Sequence, residues 1–256
     1  MNWLLKLFSY KRERRKNGKN RFIANIKKDV EDVRDYRVKI HLEGLNKISS
    51  LEQYLPPIRN QGAIGSCGSH AFICAYEMML KMKGQHKITD LSELFHYYIV
   101  RDVLQQTNED TDIDDGQSLR DGVKILKNVG VCPEELWRYD WMKYKQQPPN
   151  LAYVFAYLYK IKAYYRVYSL MELKQQIDID KRPVVIGLTI DSEFKNNKLI
   201  KSINKNNIIG GHAMCAYKYD DEKELIHLWN SWDDGEKIIT YNVLRENLID
   251  MWSIKL

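Results

Sequence analysis

The chain contains 256 residues, of which 44% are hydrophobic and 11% aromatic, and this content excludes wholesale disorder. Its length suits one enzyme-sized domain or two closely packed lobes. The formal net charge is +6, but residues 1–28 contain ten Lys or Arg and one acid, which leaves about −3 for the remainder. If the chain contacts an anionic membrane or a nucleic acid, this charge distribution assigns the contact to residues 1–28 only.

The sequence predicts neither a secretory signal nor a membrane-spanning segment. The apolar segment Trp3 to Phe8 is short and precedes the basic cluster, whereas a secretory signal has the opposite order. No apolar run of about 18 residues is present to span a membrane. Four cysteines without a CxxC pair indicate a reducing compartment rather than a disulfide framework. The sequence thus predicts an intracellular (cytoplasmic) or virion-associated protein and leaves its oligomeric state open.

Helical patterns dominate the first half of the chain. From Cys67 to Met82 the sequence is apolar on nearly all faces, which predicts a helix buried in the middle of a lobe and ended by Gly84. Asp90 with Glu93 is typical of a capping pair for a second helix. Ser118 is expected to cap a third helix.

Strand patterns dominate the chain after about residue 160. Ser169 and Glu172 form a capping box for one short helix. Runs rich in Val, Ile and Tyr then predict strands at 184–190, 212–219, 224–230, 237–243 and 252–256. This order predicts an α+β protein with a helical lobe, roughly residues 60–158, followed by a sheet lobe, roughly residues 159–256.

Four polar residues stand out by their order along the chain. In LPPIRNQGAIGSCGSHAF, Cys67 follows Gln61 by six positions; His212 comes later in GGHAMCAY, and Asn230 in LWNSW. A thiol at a helix N-terminus and beside an imidazolium has a lowered pKa, so it becomes a nucleophile at neutral pH. Taken alone, Cys67 would be interpreted as a buried structural cysteine. The ordered set instead favours acyl transfer through a thioester.

Each member of this set has a distinct predicted role. Cys67 is the candidate nucleophile, and His212, 145 positions later, is the candidate base that then protonates the leaving amine. Asn230 is expected to orient the imidazole. Gln61 is expected to donate its side-chain N–H to the oxyanion, together with the backbone N–H of Cys67. Trp232 is expected either to cover the bond between Asn230 and His212 or simply to pack in the core.

These motifs resemble those of the papain-like cysteine peptidases, specifically a bacterial and viral-type subset with a short N-terminal extension. The resemblance covers roughly residues 50–256 and is carried by NQGAIGSC, LSELFHYY, DDGQSLRDG, GVCPEELWRYD, GGHAMCAY and NSW. It implies a papain-like two-lobed fold, in which a helical lobe precedes an antiparallel β-sheet or barrel lobe. It also implies a protein or peptide substrate, no cofactor, and a groove lined by the backbone of Gly116 and Gly211.

The sequence departs from the plant enzymes of this family near the nucleophile. Gly68 follows it where they have Trp, and Ile64 stands where they have a disulfide cysteine. GSCGSHAF therefore permits a second alignment, in which His70 replaces the nucleophile and the enzyme is inactive. The family spacing between Gln61 and Cys67 favours the active alignment. After NSW the glycine-rich segment of the family is shortened to DDGEK, which leaves the shape of the groove wall open.

The predicted activity is that of a thiol endopeptidase. One alternative is a catalytically silent peptide-binding protein of the same fold. Another is a transglutaminase- or deamidase-type acyl transferase, a class that usually has Asp in place of Asn230. No metal site is predicted from the spacing of the other candidate ligands, His70, His86, His96, His227 and Cys215.

The basic residues 1–45 are expected to form an extension to the peptidase domain, residues 46–256. In one hypothesis the extension plugs the groove, attracted to the acidic run from Glu109 to Asp115. In a second hypothesis, Trp3 to Phe8 and Lys11 to Lys16 dock it on an anionic membrane or nucleic acid as an address tag. In a third hypothesis the extension is a passive tail.

Overall fold

The computed structural model describes residues 26–39, 44–85, 90–103 and 114–256. These ranges contain six α-helices, namely α1, Cys67–Met82; α2, Glu93–Val103; α3, Leu119–Asn128; α4, Asn150–Ala156; α5, Leu170–Asp178; and α6, Tyr241–Asn247. The first four precede residue 160, as the sequence predicts. No helix within the described ranges has the length and apolar content needed to cross a membrane.

The strands of the described ranges are β1, Ile26–Lys27; β2, Ile48–Ser50; β3, Gln117–Ser118; β4, Ala163–Arg166; β5, Val184–Asp191; β6, Leu199–Ile200; β7, Ile208–Asp220; β8, Leu225–Trp229; β9, Lys237–Thr240; and β10, Leu248–Lys255. Eight of them form one sheet in the order β4–β10–β5–β7–β8–β9–β6, with β2 paired to β7. All pairings in this sheet are antiparallel except β6–β9. The predicted α+β fold, with a helical lobe followed by a sheet lobe, is confirmed.

Helix α1 is the central element of the helical lobe. Every residue from Cys67 to Leu80 is buried, so the predicted all-round burial is confirmed. The helix packs against α2 and α3 within its lobe and against β5 and β7 of the sheet. Gly84 ends it with a backbone φ of 71°, a left-handed conformation that glycine adopts at little cost. The N-terminus of α1 therefore lies where the two lobes meet.

Two of the predicted helix caps are confirmed. Ser118 Oγ accepts a hydrogen bond from the N–H of Asp121 at 3.1 Å, at the start of α3. Ser169 Oγ accepts one from the N–H of Glu172 at 3.1 Å, at the start of α5. Both bonds satisfy backbone donors that the first helical turn leaves free.

The predicted cap of α2 is wrong. Ser92, not Asp90, caps this helix, because Ser92 Oγ accepts a hydrogen bond from the N–H of Phe95 at 3.1 Å. Asp90 and Glu93 instead bind the guanidinium of Arg59, at 2.8 and 2.6 Å. A partly buried arginine is stabilised by carboxylate partners, and these ion pairs override the local capping pattern.

The last predicted strands also need one correction. The run 237–243 was expected to be a single strand, but β9 ends at Thr240 and α6 begins at Tyr241. Thr240 Oγ1 accepts a hydrogen bond from the N–H of Val243 at 3.3 Å, which caps the new helix. The capping residue therefore overrides the strand-like composition of this run.

Residues 26–39, named the strap here, pack on the surface of both lobes. Strand β1 of the strap pairs in parallel with β3, so that Ile26 lies opposite Gln117. Further along, the carbonyl of Tyr36 accepts a hydrogen bond from the N–H of Arg166 at 2.9 Å. Ile26 and Val38 are buried. The predicted extension spans residues 1–45, of which 1–25 and 40–43 lie outside the described residues.

Candidate active site

Cys67 is the first residue of α1 and is fully buried. The backbone N–H of Ala213, the residue that follows His212 on β7, lies near enough to the thiol to oppose the rise of its pKa that burial causes. Within the described ranges all four cysteines are free thiols. The structure thus brings the candidate nucleophile and the candidate base together across the junction of the two lobes.

The loop before Cys67 is held by side chains that sequence reasoning missed. The carboxylate of Asp114 accepts a hydrogen bond from the N–H of Gly65 at 2.9 Å. The hydroxyl of Tyr139 donates to the carbonyl of Gln61 at 2.7 Å and lies 2.8 Å from Ser66 Oγ. These bonds fix the backbone that aims the N–H of Cys67. Their polar partners lie far along the chain, so no local motif could identify them.

Gln61 lies beside the triad candidates in a fixed orientation. Its Oε1 accepts a hydrogen bond from Ser231 Oγ at 2.6 Å, and its Nε2 donates to the carbonyl of Ile64 at 2.8 Å. Its backbone N–H also donates to the carbonyl of Ser231 at 2.9 Å. Because a side-chain amide carries two N–H donors, one of them remains for a substrate oxyanion. Ser231 orients this amide and follows directly after Asn230.

His212 and Asn230 form the hydrogen bond that the sequence predicts. His212 Nε2 and Asn230 Oδ1 are 2.7 Å apart, and both residues are fully buried. Since Oδ1 only accepts, Nε2 carries the hydrogen and Nδ1 is left as the basic nitrogen. Among the described residues, Nδ1 has no hydrogen-bond partner.

Trp232 covers this pair. Its ring stacks on the imidazole of His212, with ring centroids 4.2 Å apart and an interplanar angle of 20°. Phe194 packs edge-on against both rings, at 6.3 Å from His212 and 6.1 Å from Trp232. The apolar cover keeps water away from the bond between His212 and Asn230. Phe194 follows β5 and carries no motif, so the sequence does not identify it.

The buried position of the site controls its protonation. Burial raises the pKa of the Cys67 thiol to about 11, although backbone N–H groups of Ala213 and Gly68 oppose this rise. Burial also lowers the pKa of His212 to about 4. Desolvation disfavours both charged forms, so the closed site holds a neutral thiol and a neutral imidazole. The low thiol pKa that the sequence predicts at Cys67 is therefore wrong for this buried site, because desolvation outweighs the backbone N–H groups that favour the thiolate.

The two predicted groove glycines lie on opposite sides of Cys67. Gly116 has a φ of 72°. It packs so closely on Gly65 that a side chain added at Gly65 would meet the Cα of Gly116 at 3.1 Å. At Gly211 a side chain would meet the carbonyl oxygen of Ile26 at 2.7 Å. The backbone of the strap therefore passes directly over the residue before His212.

The departures from the plant enzymes have local structural reasons. At Gly68 a side chain would lie 2.7 Å from the amide nitrogen of Gln117, so Gln117 fills this space. His70 is buried inside α1, with Nδ1 at 3.0 Å from the carbonyl of Ser66 and its ring packed against Tyr139. Position 70 therefore serves the packing of the helix, in agreement with the alignment that makes Cys67 the nucleophile.

A second polar layer lies behind Asn230 in the DDGEK segment. Asn230 Nδ2 donates to Asp234 Oδ1 at 3.0 Å. Asp234 forms an ion pair with Lys237, whose side chain is buried. Within the described ranges, His, Cys, Asp and Glu side chains form no cluster that could hold a metal ion.

Comparison with known proteins gives consistent relatives. A family model described as papain family cysteine protease matches residues 47–248. A peptidase C1-like protein of Acanthamoeba polyphaga mimivirus is 31% identical over an alignment of 254 residues. The alignment covers 91% of this chain and 77% of that protein. Xylellain, a cysteine protease from Xylella fastidiosa, superposes with a TM-score of 0.81 at 28% identity, covering 95% of this chain and 99% of that one. Digestive procathepsin L 3 of Tenebrio molitor larval midgut gives a TM-score of 0.70 at 15% identity, covering 92% and 77%.

Proposed function

Because the chain belongs to the papain family of cysteine proteases, we propose that it is a cysteine endopeptidase whose triad is Cys67, His212 and Asn230. The observation that carries this proposal is the 2.7 Å bond between His212 Nε2 and Asn230 Oδ1, because His212 lies on β7, the strand against which the helix that begins at Cys67 packs. A thiol beside an oriented imidazole is what covalent acyl transfer requires. The enzyme is thus a hydrolase acting on protein or peptide substrates.

The proposed reaction begins with a proton transfer. His212 Nδ1 takes the proton of the Cys67 thiol, while its Nε2–H stays bonded to Asn230. The thiolate attacks the scissile carbonyl carbon, and the carbonyl electrons move to the oxygen. Collapse of the tetrahedral adduct breaks the C–N bond, and the imidazolium protonates the leaving amine. Water, deprotonated by His212, then cleaves the thioester and restores the thiol.

Gln61 supports the oxyanion in both steps. Its free Nε2–H and the backbone N–H of Cys67 are the two proposed donors. Ser231 holds Oε1 at 2.6 Å, so the amide cannot turn its oxygen toward the substrate without losing that bond. This preorganisation stabilises developing negative charge without any reorganisation during the reaction.

The test compares two cysteine variants on a set of fluorogenic peptides and a protein substrate. We expect Cys67→Ala to abolish cleavage, and Cys74→Ala, which alters a buried cysteine of the same helix, to retain it. Full activity of the Cys67→Ala protein would refute the assignment.

Product analysis separates the alternatives. An endopeptidase releases internal fragments with free carboxylates, whereas a transglutaminase-type enzyme joins an added amine to the acyl group. A silent peptide-binding protein would bind the peptides and release no product. Asn230 favours the first outcome, since acyl transferases of the other type usually have Asp at this position.

We further propose that the strap covers the substrate groove and keeps the enzyme inactive until it is displaced. The backbone of Ile26 lies against Gly211, and β1 of the strap pairs with β3 directly after Gly116. A peptide substrate would need the same two groove walls. The burial that holds Cys67 and His212 neutral is consistent with this covered state.

The strap is anchored mainly by its acids. Asp35 binds Arg120 at 2.5 Å and Arg166 at 3.1 Å, and Asp29 accepts a hydrogen bond from the N–H of Arg120 at 2.9 Å. The sequence predicts attraction between the basic extension and the acidic run from Glu109 to Asp115, and within the described ranges one ion pair joins these two segments. It is the half-exposed pair Lys27–Asp115, with 3.6 Å between its charged atoms. A pair so exposed contributes little, so the buried acids dominate.

The address-tag hypothesis concerns residues 1–28, of which 1–25 lie outside the described residues. It predicts salt-sensitive binding of the full-length chain to anionic vesicles or DNA. Such binding, together with unchanged peptidase activity on removal of the strap, would favour the tag over the plug.

A further inference from the structure

The side-chain amide of Asn230 is fixed at both ends. Its Oδ1 lies 2.7 Å from His212 Nε2, and its Nδ2 donates to Asp234 Oδ1 at 3.0 Å. Asn230 is fully buried, so both ends of the amide depend on protein partners. Asp234 belongs to DDGEK, the segment in which this chain departs from the glycine-rich pattern of its family. The second contact therefore comes from a segment that departs from the family pattern.

Asp234 is itself held by a buried lysine. The side chain of Lys237 is 1% exposed and forms an ion pair with Asp234. It also donates to the carbonyls of Lys195 at 3.1 Å and Asn197 at 2.7 Å. Its Nζ lies 5.6 Å from the centre of the Phe194 ring. Because an unpaired buried ammonium is costly, these contacts keep Lys237 in place and with it the carboxylate.

The carboxylate selects one orientation of the amide. An asparagine side chain has two orientations of nearly equal shape, which exchange its oxygen and its nitrogen. A carboxylate only accepts hydrogen bonds, so Asp234 requires Nδ2 on its own side and directs Oδ1 toward His212. In the opposite orientation Nδ2 would meet the Nε2–H of His212, donor against donor. The imidazole would then have to move its hydrogen to Nδ1, the nitrogen that must accept the proton of Cys67.

We propose that Asp234 is a positioning residue that fixes the tautomer of His212 through the amide of Asn230. In this proposal Lys237 holds the carboxylate in register. The inference rests on the proposed peptidase function and extends the triad outward by one acidic group. Partners that orient a metal-bound histidine typically contribute about 10- to 100-fold to activity, and we expect an effect of similar size for a partner that orients His212.

The charge of Asp234 adds an electrostatic contribution. It raises the pKa of His212 and so favours the imidazolium that forms during the reaction. The charges of Lys237 and His70 act in the opposite direction, and burial outweighs all of these groups. Removal of the carboxylate should therefore make the ion pair of thiolate and imidazolium harder to form.

The kinetic test uses the full-length chain with its strap released by Asp35→Ala, and adds to it either Asp234→Ala or a matched control, Asp233→Ala. The carboxylate of Asp233 accepts a hydrogen bond from Asn60 Nδ2 at 2.5 Å and is adjacent in sequence. We expect Asp234→Ala to lower kcat at least tenfold with KM within about twofold, and Asp233→Ala to leave both unchanged. In an Asn230→Ala background, Asp234→Ala should add no further loss, because it acts through that amide.

The second readout is the pH dependence of Cys67 alkylation by iodoacetamide, which requires no peptide cleavage. The acidic limb should move to higher pH in Asp234→Ala and in the isosteric Asp234→Asn, and stay in place in Asp233→Ala. Asp234→Asn can still accept the bond from Asn230, so it should retain more of kcat than Asp234→Ala. Thermal melting identifies any variant that does not fold, and Asp234→Asn, which keeps the shape of the side chain, then provides the comparison.

The outcomes separate the two proposals. An unmoved alkylation profile in both Asp234 variants, or a kcat loss that adds fully to that of Asn230→Ala, overturns the positioning role. A chain that cleaves no peptide, yet shows an alkylation profile that moves with Asp234, refutes the proposed peptidase function and supports the positioning role. An equal shift in Asp233→Ala also overturns the inference, because the effect would then be one of general charge.

Discussion

Replacement of Asp35 by alanine should release the strap and activate the full-length enzyme. The carboxylate of Asp35 joins the strap to two elements of the domain, Arg120 on α3 and Arg166 on β4. Its side chain is 6% exposed, so the two ion pairs are buried. Without the carboxylate, hydration stabilises both guanidinium groups more than burial under the strap does.

The magnitude follows from the burial of these pairs. Breaking a buried ion pair by removal of one partner typically costs about 3–5 kcal/mol. Arg166 retains Asp250 at 3.2 Å, and Arg120 retains Asp29 at 3.9 Å, so the lower end of this range applies. A loss of about 3 kcal/mol in docking free energy corresponds to a roughly 100-fold change in the ratio of docked to displaced strap.

The assay is kcat/KM for a short fluorogenic peptide, measured on the full-length protein. We expect a large rise for Asp35→Ala and none for Asp32→Ala. The carboxylate of Asp32 binds Arg34 within the strap, at 2.6 Å, and serves as the matched control. An added peptide of residues 26–39 should inhibit the activated variant. Equal activity of wild type and a folded Asp35→Ala protein, or an equal rise in Asp32→Ala, would refute the inhibitory strap.

Three further predictions concern the site and its pH dependence. Gln61→Ala should lower kcat roughly 100-fold with little change in KM, because its bond strengthens in the transition state, and steady-state kinetics checks this split. His212→Ala should move the alkylation profile of Cys67, the proposed nucleophile, to higher pH, since no imidazolium then stabilises the thiolate. Burial and the neighbouring Asp29 raise the pKa of Asp250 from 3.8 to about 7. The contribution of Asp29 to this rise is present only while the strap is docked, so docking is favoured while the Asp250 carboxyl is protonated and weakens as pH rises through about 7. Wild-type activity should therefore increase across this window, and Asp250→Asn should flatten the increase in a pH–activity profile.

The sequence predicts the parts of the site that depend on order and local pattern. Only short-range signals are needed to predict Cys67 at the start of a helix that is apolar on nearly all faces, and His212 and Asn230 at the ends of strand-like runs. The spacing between Gln61 and Cys67 identifies the proposed oxyanion donor in the same way. These residues lie together because the helix and the strands that carry them pack face to face at the junction of the lobes.

The remaining features depend on contacts between distant residues. Asp114 reaches Gly65 across 49 positions, and Asp35 reaches Arg166 across 131 positions, so no motif marks either bond. In the sequence, DDGEK is visible only as a departure from the family pattern. The hydrogen bond from Asn230 to Asp234 can be seen only in the folded structure. The capping error at α2 has the same origin, since Arg59 draws the acids away from the helix end.

The identity of the reactive thiol is the central claim, and one labelling experiment tests it most directly. The Asp35→Ala protein, with its strap released, is treated with an irreversible thiol-directed epoxide, and the modified residue is mapped by mass spectrometry. We predict modification of Cys67 alone, because release of the proposed strap opens the groove at Cys67, whereas Cys74, Cys132 and Cys215 stay buried in the lobes. A label on any of those three cysteines, with Cys67 unmodified in a folded protein, would contradict the account.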